Sequence, residues 1–150
     1  MIFLTTVLVQ TLLQISGIAD LRKHYENAIK SSKTAKELIN TLSVKESISP
    51  IELGYLGSTQ MIMAQHYFLP WDKLSIFTQG KENLEKAISL EPNNAELIYL
   101  RYTIQTNTPA FLHYNNNITN DRKMLEKFVL VTKDIELGKL IESYLTKTKK

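Results

Sequence analysis

The feature that most constrains the fold of this chain is a helix, a proline-stopped turn and the start of a second helix within residues 80–96. Leu84 and Ala87 lie three residues apart, which places them on one face of the first helix. Pro92 ends that helix because proline has no backbone N–H to donate, and an asparagine then caps the next helix, with Glu96 in its first turn. The stretch therefore predicts two helices joined at a tight corner.

The rest of the chain shows the same three- and four-residue spacing of apolar residues and little of the alternation that is typical of strands. Ser49, Pro50 and Glu52 form a capping box with proline at the first helical position, and predict a helix from Pro50 to His66. Because this helix is apolar on more than one face, we expect it to be the central, buried one. The sequence predicts an all-α protein of stacked antiparallel helical hairpins, with a single domain over residues 18–150.

Further helix starts follow from local signals along the chain. Capping residues predict starts at the Thr34–Glu37 box, at Thr119 and at Thr132. Pro70 opens another helix, whose inward stripe is predicted to begin with Leu74.

Residues 1–17 contain no charged side chain and are rich in isoleucine, leucine and valine. An apolar run before the small residues Ser16 and Gly17 is typical of a secretory signal peptide, although the basic n-region is absent. A buried first helix is the alternative, whereas a membrane span is disfavoured because the run is shorter than about 18 residues and is diluted by threonine and glutamine. We therefore expect an exported, periplasmic protein whose residues 1–17 are a signal.

Composition excludes several classes of function. The 18 basic and 15 acidic residues are interleaved and give a net charge of +3, whereas nucleic-acid binding requires clustered basic residues. The chain has no cysteine, which excludes thiolate catalysis and cysteine-based metal sites. Glu82, Glu85 and Glu96 are predicted to face water, so they do not form a general acid–base pair. We expect no nucleic-acid partner, no cofactor, no metal and no catalytic residue.

Four residues of the opening stretch match, in order and spacing, the second helix of a tetratricopeptide repeat: Gly80, Leu84, Ala87 and Pro92. The chain resembles a degenerate tetratricopeptide-repeat protein, and its layout is similar to that of small uncharacterised exported proteins of Bacteroidota-type bacteria. The match covers about half of one repeat, because no second clean copy follows and residues 66–71 lengthen the unit beyond the usual period of about 34 residues. The resemblance implies a scaffold that holds another chain.

Aromatic and cationic residues gather on both sides of a helix break at Pro109. We expect the following to bind a partner protein or peptide: Tyr99, Arg101, Tyr102, His113 and Tyr114. Tyrosine and arginine are favoured interface anchors, and Arg101 is predicted to project from its helix. The alternative is that these rings complete the core, as aromatic residues on helices usually do.

A second candidate site lies where His66 precedes Trp71 and Asp72. A histidine–carboxylate pair there can act as a base or a ligand. A hydrogen-bonded structural histidine is the alternative. The leading hypothesis is a non-enzymatic helical scaffold, exported or envelope-associated, that binds a partner through a groove between its stacked helices. The other hypothesis is a small-ligand-binding protein or enzyme with a pocket near His66 and Asp72.

Overall fold

The computed structural model of this protein describes residues 13–148, which contain helices and no strand. Within these residues seven α-helices follow in chain order: α1 (Ile18–Lys30), α2 (Ser32–Ser43), α3 (Pro50–Met63), α4 (Pro70–Leu90), α5 (Ala95–Asn107), α6 (Ile118–Val131) and α7 (Ile135–Lys147). One 3₁₀ turn, Ala64–His66, continues α3, and another, Ala110–Leu112, precedes α6. The prediction of an all-α protein is confirmed.

The helices pack as three antiparallel hairpins, α1–α2, α3–α4 and α5–α6, followed by α7. The hairpins stack in chain order, since α1 and α2 both contact α3, α3 and α4 both contact α5, and α5 contacts α7. Every residue from Leu53 to Gln60 is buried, because α3 lies among α1, α2, α4 and α5. This confirms the prediction that α3 is the central helix.

The backbones of α3 and α4 touch where Gly57 faces Gly80. A Cβ atom on Gly80 would lie 2.5 Å from the carbonyl oxygen of Gly57 and 2.9 Å from the amide nitrogen of Met61. A Cβ atom on Gly57 would collide with the carbonyl oxygen of Gly80 and lie 2.6 Å from the amide nitrogen of Leu84. Backbone atoms cannot swing aside as the end of a side chain can, so only glycine allows the two helices to come this close.

Three helix starts are those that the sequence predicts: α3 and α4 begin at Pro50 and Pro70, and Asn94 caps α5. The Ser49 hydroxyl accepts a hydrogen bond from the backbone N–H of Glu52 at 3.3 Å, and the Glu52 carboxylate accepts one from the backbone N–H of Ser49 at 3.0 Å. The Asn94 side chain accepts from the backbone N–H groups of Glu96 and Leu97 and so caps α5. Both patterns depend on residues within one turn, which is why they are readable from sequence.

Three other predicted starts are wrong by one to three residues. Ser31 rather than Thr34 caps α2, because Ser31 is extended and its side chain accepts from the Thr34 N–H. α6 begins at Ile118, one residue before Thr119. Asp134 rather than Thr132 caps α7, and Thr132 instead accepts a hydrogen bond from the Asp134 N–H. The capping side chains are therefore those of Ser31 and Asp134, the residues directly before α2 and α7.

The prediction that Leu74 faces the core is wrong, since its side chain is exposed. α4 has 21 residues and is the longest helix among those described. No residue from Pro70 to Ser75 is buried, whereas Gly80, Leu84 and Ala87 further along the helix are. The first part of α4 therefore extends beyond the helices that cover the rest of it.

The predicted signal segment, residues 1–17, falls mostly outside the described residues. Its last five residues, 13–17, are not helical, and the Leu13 N–H donates to the Thr41 hydroxyl at 3.1 Å. Among residues 13–148, no helix combines the length and apolar character needed to cross a membrane.

We predict that Gly80→Ala lowers the free energy of unfolding by about 1–3 kcal/mol, although alanine is the better helix former, because the added methyl forces the α3 and α4 backbones apart. Urea denaturation followed by circular dichroism measures the change. Gly17→Ser is the control, since a Cβ atom at Gly17 meets no heavy atom within 4 Å. Equal stability of the Gly80→Ala and Gly17→Ser variants would contradict the proposed role of the backbone contact.

Candidate binding groove

A shallow groove of about 340 Å³ runs along α7 where this helix meets α5. Its lining is mostly apolar and consists of Tyr99 from α5 with Glu136, Lys139, Leu140, Ser143, Tyr144 and Lys147 from α7. The α7 residues recur at three- and four-residue spacing, which places them on one face of that helix. The groove thus has an apolar floor and a rim of charged and hydroxyl groups.

Tyr144 is the centre of the groove floor. Its ring packs edge to face against Tyr99 at 6.0 Å and against Tyr102 at 5.8 Å, measured between ring centroids. The Tyr144 hydroxyl accepts a hydrogen bond from the Asn107 side chain at 2.7 Å and shares a second with the Thr106 hydroxyl at 2.8 Å. These contacts fix the ring, so the floor is formed before any ligand arrives.

Tyr99 is half-buried and is the residue of α5 that lines the groove. Burial, followed by the neighbouring Tyr144 and Glu96, raises the pKa of Tyr99 to about 12, so its hydroxyl is protonated at neutral pH. Among the described residues that hydroxyl has no hydrogen-bond partner. Tyr99 can therefore donate or accept a hydrogen bond at the groove.

Arg22 in α1 binds the start of α7, next to the groove. Its guanidinium is buried and makes a two-point contact with the Glu96 carboxylate, at 2.8 Å each. It also binds Asp134 at 2.8 Å and Glu136 at 3.0 Å, at the start of α7. The hydrogen bond with Glu96 is the largest cause of the raised pKa of Arg22, and the hydrogen bond with Arg22 is the largest cause of the lowered pKa of Asp134.

Arg101 forms a second buried ion pair on the opposite side of α5. It contacts both carboxylate oxygens of Asp121 in α6 at 2.7 Å, and Glu85 in α4 at 3.1 Å. The Tyr114 hydroxyl donates to the same Glu85 carboxylate at 2.6 Å. Burial lowers the pKa of Arg101, but the hydrogen bond and charge of Asp121 outweigh it and the net shift is upward.

The five predicted partner-binding residues do not share one surface. Tyr99 and Tyr102 face Tyr144 of α7, while Arg101 and Tyr114 face Glu85 on the other side of α5. Tyr102 and Tyr114 are buried, at 2% and 4% exposure. His113 is exposed and has a left-handed backbone (φ 50°), at the end of the 3₁₀ turn before α6. Of the five, Tyr99 is the one that lines the groove.

Two predictions about charged residues are wrong. Arg101 does not project from its helix, and Glu96 does not face water: both are buried. Their ion-pair partners make this burial possible, since Asp121 neutralises Arg101 and Arg22 neutralises Glu96. A signal is present in the sequence, because apolar residues follow Glu96 and flank Arg101 on all sides of α5, as expected of a helix buried all round.

Sequence reasoning also missed Leu140 and Ser143 as groove residues. The three- and four-residue spacing of apolar residues predicts an apolar stripe on this helix: Leu137, Leu140, Ile141, Tyr144 and Leu145. The sequence does not show which helix covers this stripe, and that packing decides which of its residues stay exposed. In the structure Leu137, Ile141 and Leu145 are buried, which leaves Leu140 and Ser143 at the groove.

The junction around His66 and Asp72 offers little enclosure. His66 is exposed at the end of the 3₁₀ turn, Asp72 is partly exposed in the first turn of α4, and Trp71 between them is exposed. Within residues 13–148 these two titratable groups form no ion pair. The geometry therefore does not assemble the histidine–carboxylate pair on which the enzyme hypothesis depends.

We predict that Asp121→Ala lowers the free energy of unfolding by about 3–5 kcal/mol, because it leaves the Arg101 charge buried without its main partner. Thermal and urea denaturation measure the loss. Glu126→Ala removes the exposed partner of Arg122 one turn along the same helix and should cost less than about 1 kcal/mol. Combining Arg101→Met with Asp121→Leu should recover most of the loss, and similar costs for the two alanine variants would contradict the prediction.

We predict a pH-dependent stability difference between the wild type and Asp134→Asn, which keeps the helix cap and removes the charge. Arg22 lowers the pKa of Asp134 in the folded state, so the stabilisation is complete above the ordinary value of 3.8 and is lost as the pH falls through the lowered pKa. Urea denaturation at a series of pH values measures the difference. The difference in free energy of unfolding between the wild type and Asp134→Asn should disappear on acidification. Glu142→Gln, at an exposed position, should show no such difference from the wild type at neutral pH.

Within the described part of the chain, no three histidine or acidic side chains come together in a way that could hold a metal ion. Comparison with protein-family models, with curated proteins and with solved structures found no match to this chain. What bears on function is therefore the geometry of the molecule: an apolar groove along α7, fixed by hydrogen bonds and bounded by a buried ion-pair network.

Proposed function

We propose that this protein is a non-enzymatic helical scaffold, exported or envelope-associated, that binds a segment of a partner protein or peptide in the groove between α5 and α7. The observation that carries the proposal is the groove itself, with Tyr99, Leu140 and Tyr144 exposing apolar surface between polar rim residues. Peptide recognition commonly uses an apolar groove to hold anchor side chains and polar groups to orient them.

A tetratricopeptide-like architecture is part of this proposal. The repeat pattern has a Leu-Gly pair in its first helix. In its second helix it has a small residue, followed four positions on by an aromatic or aliphatic one. Leu56–Gly57 and Gly80 with Leu84 supply these residues, and Gly57 packs directly on Gly80. The stacking of hairpins in chain order is the arrangement that helical repeats use to build a binding face.

The groove floor suits a side chain of a partner better than a reaction. Tyr144 is held by Thr106 and Asn107, so binding there costs little ordering of the floor. Glu136 at the rim is already bound to Arg22 at 3.0 Å. The remaining polar groups of the lining are the hydroxyls of Tyr99 and Ser143 and the ammonium groups of Lys139 and Lys147, which can bind a partner backbone or its carboxylates. None of these residues forms a nucleophile–base pair with another.

The first experiment locates the partner. A photoreactive amino acid in place of Ser143, at the groove, is expressed in the native host and crosslinked, with the same amino acid in place of exposed Ser89 on α4 as the control. We expect one partner segment to be captured from the groove position and not from the α4 position. Identical products from both positions would contradict the proposal.

We predict that Leu140→Ser weakens binding of the captured segment by about tenfold or more, or about 1.4 kcal/mol, because it removes apolar surface from the groove. Isothermal titration with the synthetic segment measures the affinity. Leu90→Ser alters another exposed leucine, at the end of α4, and should leave the affinity unchanged. Loss of affinity in both variants, or in neither, would count against the groove as the binding site.

A further inference from the structure

A tip of exposed apolar side chains marks the corner between α3 and α4. We call the α3–α4 tip the residues Tyr67, Phe68, Trp71 and Leu74, with exposures of 36%, 92%, 65% and 55%. They lie within eight residues of sequence, on the connection and the first turns of α4. Large apolar side chains grouped this way on a surface indicate a site of interaction.

The tip projects from the bundle. No residue of α4 from Pro70 to Ser75 is buried, and burial begins only at Phe77, where α4 meets Tyr114. Phe68 lies on the connection itself and is almost fully exposed. The tip is therefore convex, so a rigid partner would need a matching cavity to cover it, whereas a fluid lipid bilayer would not.

The size and chemistry of the tip favour a bilayer over a protein. A stable protein interface buries about 800 Å² on each side in a closely packed patch, which a projecting tip of four apolar side chains does not provide by itself. Tryptophan and tyrosine concentrate at membrane–water interfaces, where one end of the ring system is apolar and the other is hydrated. Phe68 and Leu74 add purely apolar side chains that insert without a polar group to desolvate.

The net charge of the chain favours an anionic surface, and the tip itself is neutral. Residues 61–78 contain one carboxylate, Asp72, and one ammonium group, Lys73, so their formal charges cancel. The whole chain carries a formal charge of +3, which favours approach to negatively charged lipid headgroups. No excess of negative charge at the tip opposes that approach.

We propose that the α3–α4 tip inserts into the interfacial region of an anionic lipid bilayer and attaches the helical bundle to the membrane surface. Trp71 and Tyr67 lie at the level of the headgroups, and Phe68 and Leu74 reach the upper acyl chains. This attachment is independent of the α5–α7 groove, which lies on other helices.

Trp71 is the single tryptophan of the chain, so its fluorescence reports on the tip directly. The probe is the full-length protein mixed with vesicles of equal parts phosphatidylcholine and phosphatidylglycerol. We expect the emission to shift to shorter wavelength and to be quenched by phosphatidylcholine brominated in its acyl chains. Vesicle association without a change in Trp71 emission would overturn the proposal, because another part of the chain would then be attached. So would a failure to associate, or a blue shift that grows with protein concentration in the absence of lipid.

A pair of double variants tests the apolar side chains. Phe68→Ser with Leu74→Ser should reduce the vesicle partition coefficient by about tenfold or more, since each removes a large exposed apolar group. The control is Leu130→Ser with Val131→Ser, which alters two side chains at the end of α6 that are 84% and 78% exposed. The control should bind vesicles like the wild type. An equal loss in both variants, or none in either, would overturn the proposal.

Discussion

The contact between Gly57 and Gly80 is the constraint on which the rest of the bundle depends. It sets the distance between α3 and α4, and α3 is the helix against which α1, α2 and α5 also pack. Gly54, one turn earlier, lets Leu97 of α5 press against the same helix. A sequence that kept every apolar residue but lost these glycines would still predict the same helices. Those helices could not pack at the same distance from each other, because a densely packed interior has no room for an added methyl group.

α5 is fixed from both sides by charge as well as by packing. Glu96 at its start is held by Arg22, and Arg101 one turn and a half later is held by Asp121. Buried ion pairs add modestly to stability but penalise every arrangement in which a partner is missing, so they select one register of the helix. These ion pairs also fix the position of Tyr99 at the groove, since Tyr99 lies between Glu96 and Arg101 on the same helix.

Local sequence patterns predict the fold but not the site, because the contacts that form the site join residues far apart in the sequence. The caps of α3 and α5 and the buried character of α3 depend on residues within a few positions of each other. Arg101 and Glu96 look like solvated charges because their partners are 20 and 74 residues away in sequence. The groove is equally hard to predict from the sequence. α7 has a regular apolar stripe, but only its packing on α5 shows that Leu140 is partly exposed while Ile141 is buried.

The contacts of Arg22 also affect the order in which this chain can complete its fold. Its partners Asp134 and Glu136 follow it by 112 and 114 residues, and Glu96 by 74. Whether the chain emerges during synthesis or during export, α1 appears before any of these carboxylates, so its arginine at first has no partner with which to be buried. The contacts that bury Arg22 are therefore complete only when α7 has emerged, so the first hairpin depends on later helices for its final packing.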